Sequence, residues 1–280
     1  MGELPRERVT PSSPFHITGI DYAGPFFIKR NRKTQDKCYV GVFICFSTKA
    51  IHLELISSLF SKSFIQALRR FTSRRGKPYK ILSDNGTTFV GAKRELGQFL
   101  KQNASNLIDL CANDKIEWLF IPPYSPHFGG LWEAGVKSTK HHLKRILANA
   151  RLTFEEFTTV LCQIEAILNS RPLCPLSSDP NDFLSLTPAH FLIGHQLTAV
   201  PDEALEDAKT NRLTSYQLVQ QMCQHFWRRW HREYISELQQ RQKWNCSQGK
   251  LEVDSLVLNQ RRQCSSYSEN GLHHSSSSWF

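Results

Sequence analysis

Three kinds of segment are missing from this 280-residue sequence, and each absence excludes a class of protein. No apolar run approaches the roughly 18 residues that a helix needs to cross a bilayer, so no membrane span is predicted. The first 15 residues contain no apolar stretch of the kind found in secretory signals. None of the eight cysteines forms a C-x-x-C pair, which argues against a zinc finger or zinc ribbon.

The cysteines that are present favour an intracellular protein. Cys45 and Cys162 lie in the apolar stretches 42–46 and 161–168. Free cysteine behaves as a small buried apolar residue, so these thiols are predicted to be buried and reduced.

The net charge of +10 is concentrated in the first half of the chain. Residues 1–150 carry 23 Lys and Arg against 11 Asp and Glu, whereas residues 151–280 carry 12 against 14. A basic half suggests a polyanionic partner, because neutralised phosphates release counterions. A solubilising surface charge explains the same numbers.

Apolar periodicity predicts a mixed sheet covered by helices, an α/β fold. The predicted elements are strands at 15–30, 38–47 and 50–56, a helix at 61–75, a strand at 79–83, a helix at 91–112, a strand at 116–121, and helices at 130–150, 153–169 and 212–243. Ser61 or Ser63 is predicted to cap the first helix, and Thr153 with Glu156 has the spacing of a capping box.

Three acidic residues lie at positions that suggest chemistry. Asp21 interrupts an apolar strand, Asp84 ends a short strand, and Glu133 follows Gly129-Gly130 in the first turn of a helix. Converging carboxylates repel one another unless a cation joins them, and Mg²⁺ prefers such oxygen ligands. Taken singly, Asp84 is also a good turn residue and Glu133 a good helix-start residue.

Segments around these residues resemble the acidic motifs of retroviral and LTR-retrotransposon integrases. The segments are HITGIDYAGP at 16–25, ILSDNGTTF at 81–89 and IPPYSPHFGGLWE at 121–133. Two more, IEAILNSRPL at 164–173 and LTPAHFL at 186–192, resemble BEL/Pao-type integrases in particular.

This resemblance implies an RNase H-like fold of the retroviral integrase type, followed by a helical C-terminal extension. It implies that Asp21, Asp84 and Glu133 bind two Mg²⁺ or Mn²⁺ ions, which carry out 3′-end processing and strand transfer. The implied partners are element-end DNA, target DNA and further copies of the chain, with no membrane. The implied location is the nucleus or a cytoplasmic particle.

The spacing between Asp84 and Glu133 is 48 residues, longer than in better-known retroviral relatives. Glu117 would give a shorter spacing of 32 residues. Glu117 begins a predicted strand and has neither the glycine loop nor the following helix, so Glu133 is preferred.

Basic residues follow Glu133 along one face of its predicted helix. Lys137, Lys140 and Lys144 stand at i+4, i+7 and i+11. An ordinary solvated face explains this pattern equally well. The resemblance implies that Lys137 and Lys140 contact DNA ends and that Lys144 extends the same DNA-binding face of the helix. It also implies that Tyr124 occupies a loop position close to DNA.

The predicted organisation has four parts. They are an N-terminal lead-in at 1–14, the catalytic core at 15–170, an irregular segment with a long helix at 171–245, and a truncated remnant of a C-terminal β-barrel with a disordered tail at 246–280.

Two other functions remain open at this point. A shortened integrase could have kept its fold for binding DNA or for multimerising while losing activity. An RNase H-type nuclease is the other alternative, but it needs a fourth acidic residue, for which Glu54 is the available candidate.

Overall fold

A computed structural model of the chain describes residues 10–31, 34–84, 86–102, 116–120, 130–147, 152–177, 179, 184–209 and 212–238. Side chains are described for these residues except 97–102, 130–136, 138 and 237. The predicted part at 246–280 lies outside the described residues.

The described chain is a five-stranded mixed sheet with helices on both faces, followed by a helical C-terminal region. In chain order the elements are β1 Ile17–Lys29, β2 Gln35–Cys45, β3 Ile51–Ile56, α1 Ser61–Arg75, β4 Lys80–Ser83, α2 Thr87–Gln102, β5 Glu117–Phe120, α3 Gly130–Leu147, α4 Phe154–Asn169, β6 Cys174–Pro175, β7 Ser185–Leu186, α5 Pro188–Ile193 and α6 Ser215–Leu238.

The order of strands in the main sheet is β3-β2-β1-β4-β5. The first three strands form an antiparallel meander, and β4 and β5 add to it in parallel with β1. This arrangement confirms the predicted RNase H-like sheet. β1 is the central strand, so residues near its middle lie where the antiparallel and parallel halves meet.

Alternate residues of the strands enter two separate apolar clusters, one on each face of the sheet. On one face, Ile20 and Phe43 pack with α1 and α2. On the other face, Val42 and Leu53 pack with α3, α4 and α6. Asp21 neighbours Ile20 along β1 and therefore belongs to the face that α3 covers.

The long C-terminal helix α6 is part of this second cluster. Trp230 is buried and stacks on Tyr234 at 5.0 Å between ring centroids. The Tyr234 hydroxyl donates a hydrogen bond to the carbonyl of Pro172 at 2.6 Å. These aromatic residues therefore pack in the core, although Leu238 at the helix end is exposed.

The predicted helix ends are partly right. Thr153 and Glu156 form the predicted capping box, with the Glu156 carboxylate 2.8 Å from the Thr153 N–H. Neither Ser61 nor Ser63 caps α1, because that helix begins after Phe60, which has no capping side chain. The helix predicted to begin at residue 91 begins at Thr87, directly after the Asp84–Gly86 turn.

The outer edge of β3 is closed by side chains from α4 and α1. Asn169 accepts a hydrogen bond from the Ile51 N–H and donates one to the Ile51 carbonyl, both at 2.8 Å. Glu165 accepts one from the Leu53 N–H at 2.8 Å. Exposed edge strands invite pairing with other chains, so these contacts protect the sheet.

A buried charge cluster lies beside this edge. His52 contacts Glu54 at 3.0 Å and Glu165 at 3.1 Å. Arg70 contacts Glu54 at 2.6 Å, and Arg75 bonds to Glu165. Each buried carboxylate therefore has cationic partners from other elements, as burial of a charge requires.

The pKa values within this cluster move in opposite directions. Burial alone would lower the pKa of His52, but hydrogen bonds to Glu165 and Glu54 outweigh it and raise that pKa above 6.5. Burial alone would raise the pKa of Glu165, but His52, the Leu53 N–H and Arg75 outweigh it and lower that pKa below 4.5. Both shifts favour the charged forms that hold α4 against the sheet.

These shifts predict a pH-dependent stability. A raised pKa makes the His52 contribution fully present below pH 6.5 and lost as the pH rises through the raised value. A lowered pKa makes the Glu165 contribution present above pH 4.5 and lost in acid. We expect the unfolding free energy, measured by urea titration, to fall above pH 6.5. His52→Gln should remove this part of the pH dependence, and an unchanged pH profile in that variant would contradict the prediction.

The described cysteines are free, and their burial differs from the prediction at one position. Cys45 is buried as predicted, together with Cys38 and Cys223. Cys162 is exposed, because it lies on the side of α4 that faces away from its buried neighbour Leu161. Over the described residues, no helix combines the length and apolar character that crossing a membrane requires.

Candidate active site

Asp21 and Asp84 are brought together by two parallel strands. The pairing of β1 with β4 ends with Ile20 opposite Ser83. Asp21 and Asp84 are the next residues along each strand, so their backbones are side by side where β4 ends. Sites in sheets of this kind form at the carboxyl ends of parallel strands.

Asp84 occupies a turn that leads directly into α2. Its Oδ1 atom accepts a hydrogen bond from the Gly86 N–H at 3.0 Å, and α2 begins one residue later. The turn holds this exposed carboxylate at the positive end of the helix dipole.

Tyr22 forms an apolar wall next to Asp84, a role that the sequence did not indicate. Its ring stacks on Phe89 at 4.9 Å, and burial, followed by the negative charge of Asp84, raises the pKa of Tyr22. The Tyr22 hydroxyl is buried and makes no hydrogen bond within the described part of the chain. It therefore stays protonated near neutral pH and adds no charge to the site.

Asp21 is bound by a lysine from α3. The Nζ atom of Lys140 lies 2.6 Å from Asp21 Oδ2, and the two side chains are 29% and 26% exposed. The other oxygen, Oδ1, accepts a hydrogen bond from the Tyr22 N–H at 2.6 Å. Both oxygens of Asp21 thus have partners.

The remaining predicted site residues are divided between α3 and the loop before it. Glu133 lies in the first turn of α3, two turns before Lys140, and its side chain is outside the described set. Lys137 and Lys144 are exposed. Tyr124 lies outside the described residues.

Two alternative acidic residues lie away from Asp21 and Asp84. Glu117 is paired with Lys80 at the start of β4, the opposite end of that strand from Asp84. Glu54 is aligned with Tyr22 through Gly41, so it belongs to the face of the sheet opposite Asp21. Neither residue joins the two aspartates, and Glu54 is already bound by His52 and two arginines.

The densest basic run, residues 69–77, is largely engaged within the fold. Arg70 and Arg74 contact Glu54, and Arg75 contacts Glu165. Neutralising buried carboxylates is therefore the main role of these arginines. These ion pairs leave α3 as the stronger candidate for a surface that binds DNA.

Among the described side chains, no three His, Cys, Asp or Glu residues come close enough to hold a metal ion. Asp21 and Asp84 nevertheless carry hard oxygen donors of the kind that Mg²⁺ prefers. The third predicted ligand, Glu133, comes from a helix that packs against β1.

Comparisons with known proteins give one family match and several similar folds. A model described as "Family of unknown function (DUF5641)" matches residues 214–268. No curated protein matches the chain.

Solved structures of viral integration proteins resemble the fold. A chain of the simian T-cell lymphotropic virus intasome has 18% identity and a TM-score of 0.44, with 72% of this chain and 63% of that chain covered. The HTLV-2 integrase catalytic core domain in complex with magnesium has 20% identity and a TM-score of 0.40, with 64% and 97% covered. The catalytic core domain of BIV integrase has 15% identity and a TM-score of 0.39, with 64% and 95% covered.

This chain therefore spans 63% of the length of the simian viral protein that it matches. These likenesses concern the fold alone.

Proposed function

We propose that this chain is the catalytic core of an integrase-type polynucleotidyl transferase that processes the 3′ ends of retroelement DNA and joins them to target DNA. The observation that carries the proposal is the pairing of β1 with β4, because Asp21 and Asp84 directly follow the last paired residues and α3, whose first turn contains Glu133, packs against β1. The motif resemblance supplies the reaction, and the two adjacent strand ends supply a suitable place for it.

The donors fit a divalent cation. Asp21 and Asp84 carry adjacent negative charges, and Asp21 already attracts the ammonium group of Lys140. We propose that Asp21, Asp84 and Glu133 hold two Mg²⁺ or Mn²⁺ ions. Such ions would supply the positive charge that activates an attacking oxygen and stabilises a leaving oxygen in phosphoryl transfer. The side chains orient these charges, and Tyr22 with Phe89 keeps one wall of the site apolar.

The exposed side of α3 is the proposed DNA surface. Lys137, His141, Lys144 and Arg145 are exposed on this helix. The lysines lie about 6 and 16 Å beyond Glu133 along a helix that rises about 1.5 Å per residue. Phosphate contacts at these distances would position a strand whose scissile phosphate lies at the carboxylates.

This surface predicts a change in salt dependence. We expect the Lys137→Ala and Lys144→Ala double variant to bind DNA more weakly and to lower the slope of log K against log salt by up to about 1.8. Its folding stability should change little, because exposed lysines contribute little. The measurement is fluorescence anisotropy with a labelled duplex at several salt concentrations. Lys209→Ala removes an exposed lysine outside α3 and is the matched control. An unchanged slope in the double variant would identify this helix side as an ordinary solvated face.

The proposed reaction has a direct test. The purified chain should join strands, or resolve a branched DNA substrate by the reverse reaction, in Mg²⁺ or Mn²⁺ and not in chelator. Glu133→Gln should lose this reaction and keep DNA binding. If the unaltered chain binds DNA yet shows no reaction with either metal, the alternative of an inactive DNA-binding or multimerising remnant replaces the proposal.

We further propose a BEL/Pao-type retrotransposon as the source, with the protein acting as a homo-oligomer in the nucleus or in a cytoplasmic particle. The resemblance of the segments at 164–173 and 186–192 to BEL/Pao-type integrases supports this source, and residues of both segments have structural roles in the fold. Glu165 and Asn169 close the edge of β3. In the segment at 186–192, Pro188 begins α5, and the Thr187 N–H donates a hydrogen bond to His190 Nδ1 at 3.1 Å. We also propose that residues 15–170 form the catalytic core and that residues 171–245 form an irregular segment with a long helix.

A further inference from the structure

The contact between Lys140 and Asp21 carries an inference that rests on the proposed metal site and goes beyond it. The two residues are 119 positions apart in the sequence, so the 2.6 Å contact is a tertiary one between α3 and β1. It satisfies one oxygen of a carboxylate that the proposed function assigns to metal binding.

The two partners of Asp21 differ in how easily they can leave. Oδ1 is held by the backbone N–H of Tyr22, which is fixed by the strand. Oδ2 is held by the end of a flexible side chain that is 29% exposed. A Mg²⁺ ion contacts its oxygen ligands at about 2.0–2.1 Å, and a nearby ammonium group would repel it. An entering cation therefore has to displace Lys140.

We propose that Lys140 serves as a substitute cation on Asp21 and that a divalent ion displaces it, which frees its ammonium group for a DNA phosphate. Lys140 is then a positioning residue that links metal binding to DNA binding. Without metal, the ammonium group binds Asp21 and is not available to contact a DNA phosphate. With metal, the same group is released beside the phosphate that the site has to hold, so each ligand favours the other.

Metal affinity tests the first half of this proposal. Mn²⁺ binding to the full chain would be followed by electron paramagnetic resonance or calorimetry in Lys140→Gln and, as the matched control on the same helix, Lys144→Gln. We expect Lys140→Gln to bind Mn²⁺ roughly fivefold more tightly than the unaltered chain, as loss of a competing, partly exposed ion pair allows. Lys144→Gln should bind within a factor of about two. Equal affinities in the two variants would overturn the inference.

The salt dependence of DNA binding tests the second half. Ca²⁺ would be used as a metal that does not support turnover, with chelator as the comparison. In the unaltered chain we expect Ca²⁺ to steepen the slope of log K for DNA binding against log salt by about 0.9, which corresponds to one additional phosphate contact. Lys140→Gln should lose this increment. Lys144→Gln should keep it, on a baseline slope that is itself lower by up to about 0.9, because Lys144 belongs to the proposed DNA surface. Asp21→Asn should show the steeper slope even in chelator, because its lysine is already released. An increment that persists in Lys140→Gln would contradict the proposal.

The Mn²⁺ measurements distinguish a failure of the proposed displacement of Lys140 from a failure of the proposed metal site. If Mn²⁺ binds to the unaltered chain with no effect of Lys140→Gln, the displacement is wrong and the metal site remains. If no variant binds Mn²⁺ at any concentration, the metal site itself is wrong, and the displacement is overturned with it.

Discussion

Asp84→Asn is expected to lower metal-dependent strand transfer by about a thousandfold or more while the protein stays folded. The asparagine oxygen can still accept the Gly86 N–H bond that shapes the turn before α2. The exposed position requires no burial of an unpaired group. What the substitution removes is one negative charge next to Asp21, and with it the attraction for a second cation.

Glu117→Gln is the matched control, because it removes an exposed carboxylate from the same half of the sheet. Glu117 lies opposite Lys80, four residues before Asp84 along the parallel register, which corresponds to about 13 Å. Its activity in the branched-DNA assay should therefore stay within a factor of about two. Equal losses in the two variants would mean that any surface charge matters, and the Asp84 site would be wrong. Circular dichroism and thermal melting would establish that both variants are folded.

The second large effect is expected on stability. Glu165→Ala should lower the unfolding free energy by about 3–5 kcal/mol, because it leaves buried charged partners uncompensated. His52 and Arg75 lose a carboxylate, and the Leu53 N–H loses its acceptor. The measurement is urea denaturation near pH 6.5, where the contributions of both His52 and Glu165 are present.

Two variants on the same helix separate charge from hydrogen bonding. Glu165→Gln keeps an oxygen for the Leu53 N–H, so it should cost less than Glu165→Ala, about 1–3 kcal/mol. Glu155→Ala removes an exposed carboxylate from the first turn of α4 and should cost less than about 1 kcal/mol. A cost for Glu165→Ala no larger than that for Glu155→Ala would show that the cluster adds no net stability.

The fold was predictable because its strongest signals are local. The β-branched and aromatic run of β2, the polar–apolar alternation of β3 and the Thr153–Glu156 capping box all act within a few residues, so the sequence pattern indicates them directly. The start of α2 was predicted four residues late, because the Asp84–Gly86 turn also serves as the entry to the helix. The Asp-Asn-Gly sequence predicts a turn, and that prediction hid the start of the helix that follows the turn directly.

The candidate site was proposed from its residues, and its contacts could not be predicted from the sequence. Asp21 and Asp84 were identified because an acidic residue in an apolar strand and one at a strand end are unusual. The ion pair of Lys140 with Asp21 joins residues 119 positions apart, and no spacing rule reaches that far. The same holds for His52 and Glu165, 113 positions apart. For that reason the sequence did not indicate that Arg70, Arg74 and Arg75 neutralise buried carboxylates.

The closure of the β3 edge has a consequence for the chain while it is being made. Asn169 follows Ile51 by 118 residues. At about 5–20 residues per second, a ribosome needs roughly 6 to 24 s to cover that distance. During this interval the meander of β1, β2 and β3 can already form, but the backbone groups of Ile51 and Leu53 lack their later partners. A neighbouring nascent chain could add a strand there, so polysomes that translate this message place open edges close together until α4 emerges.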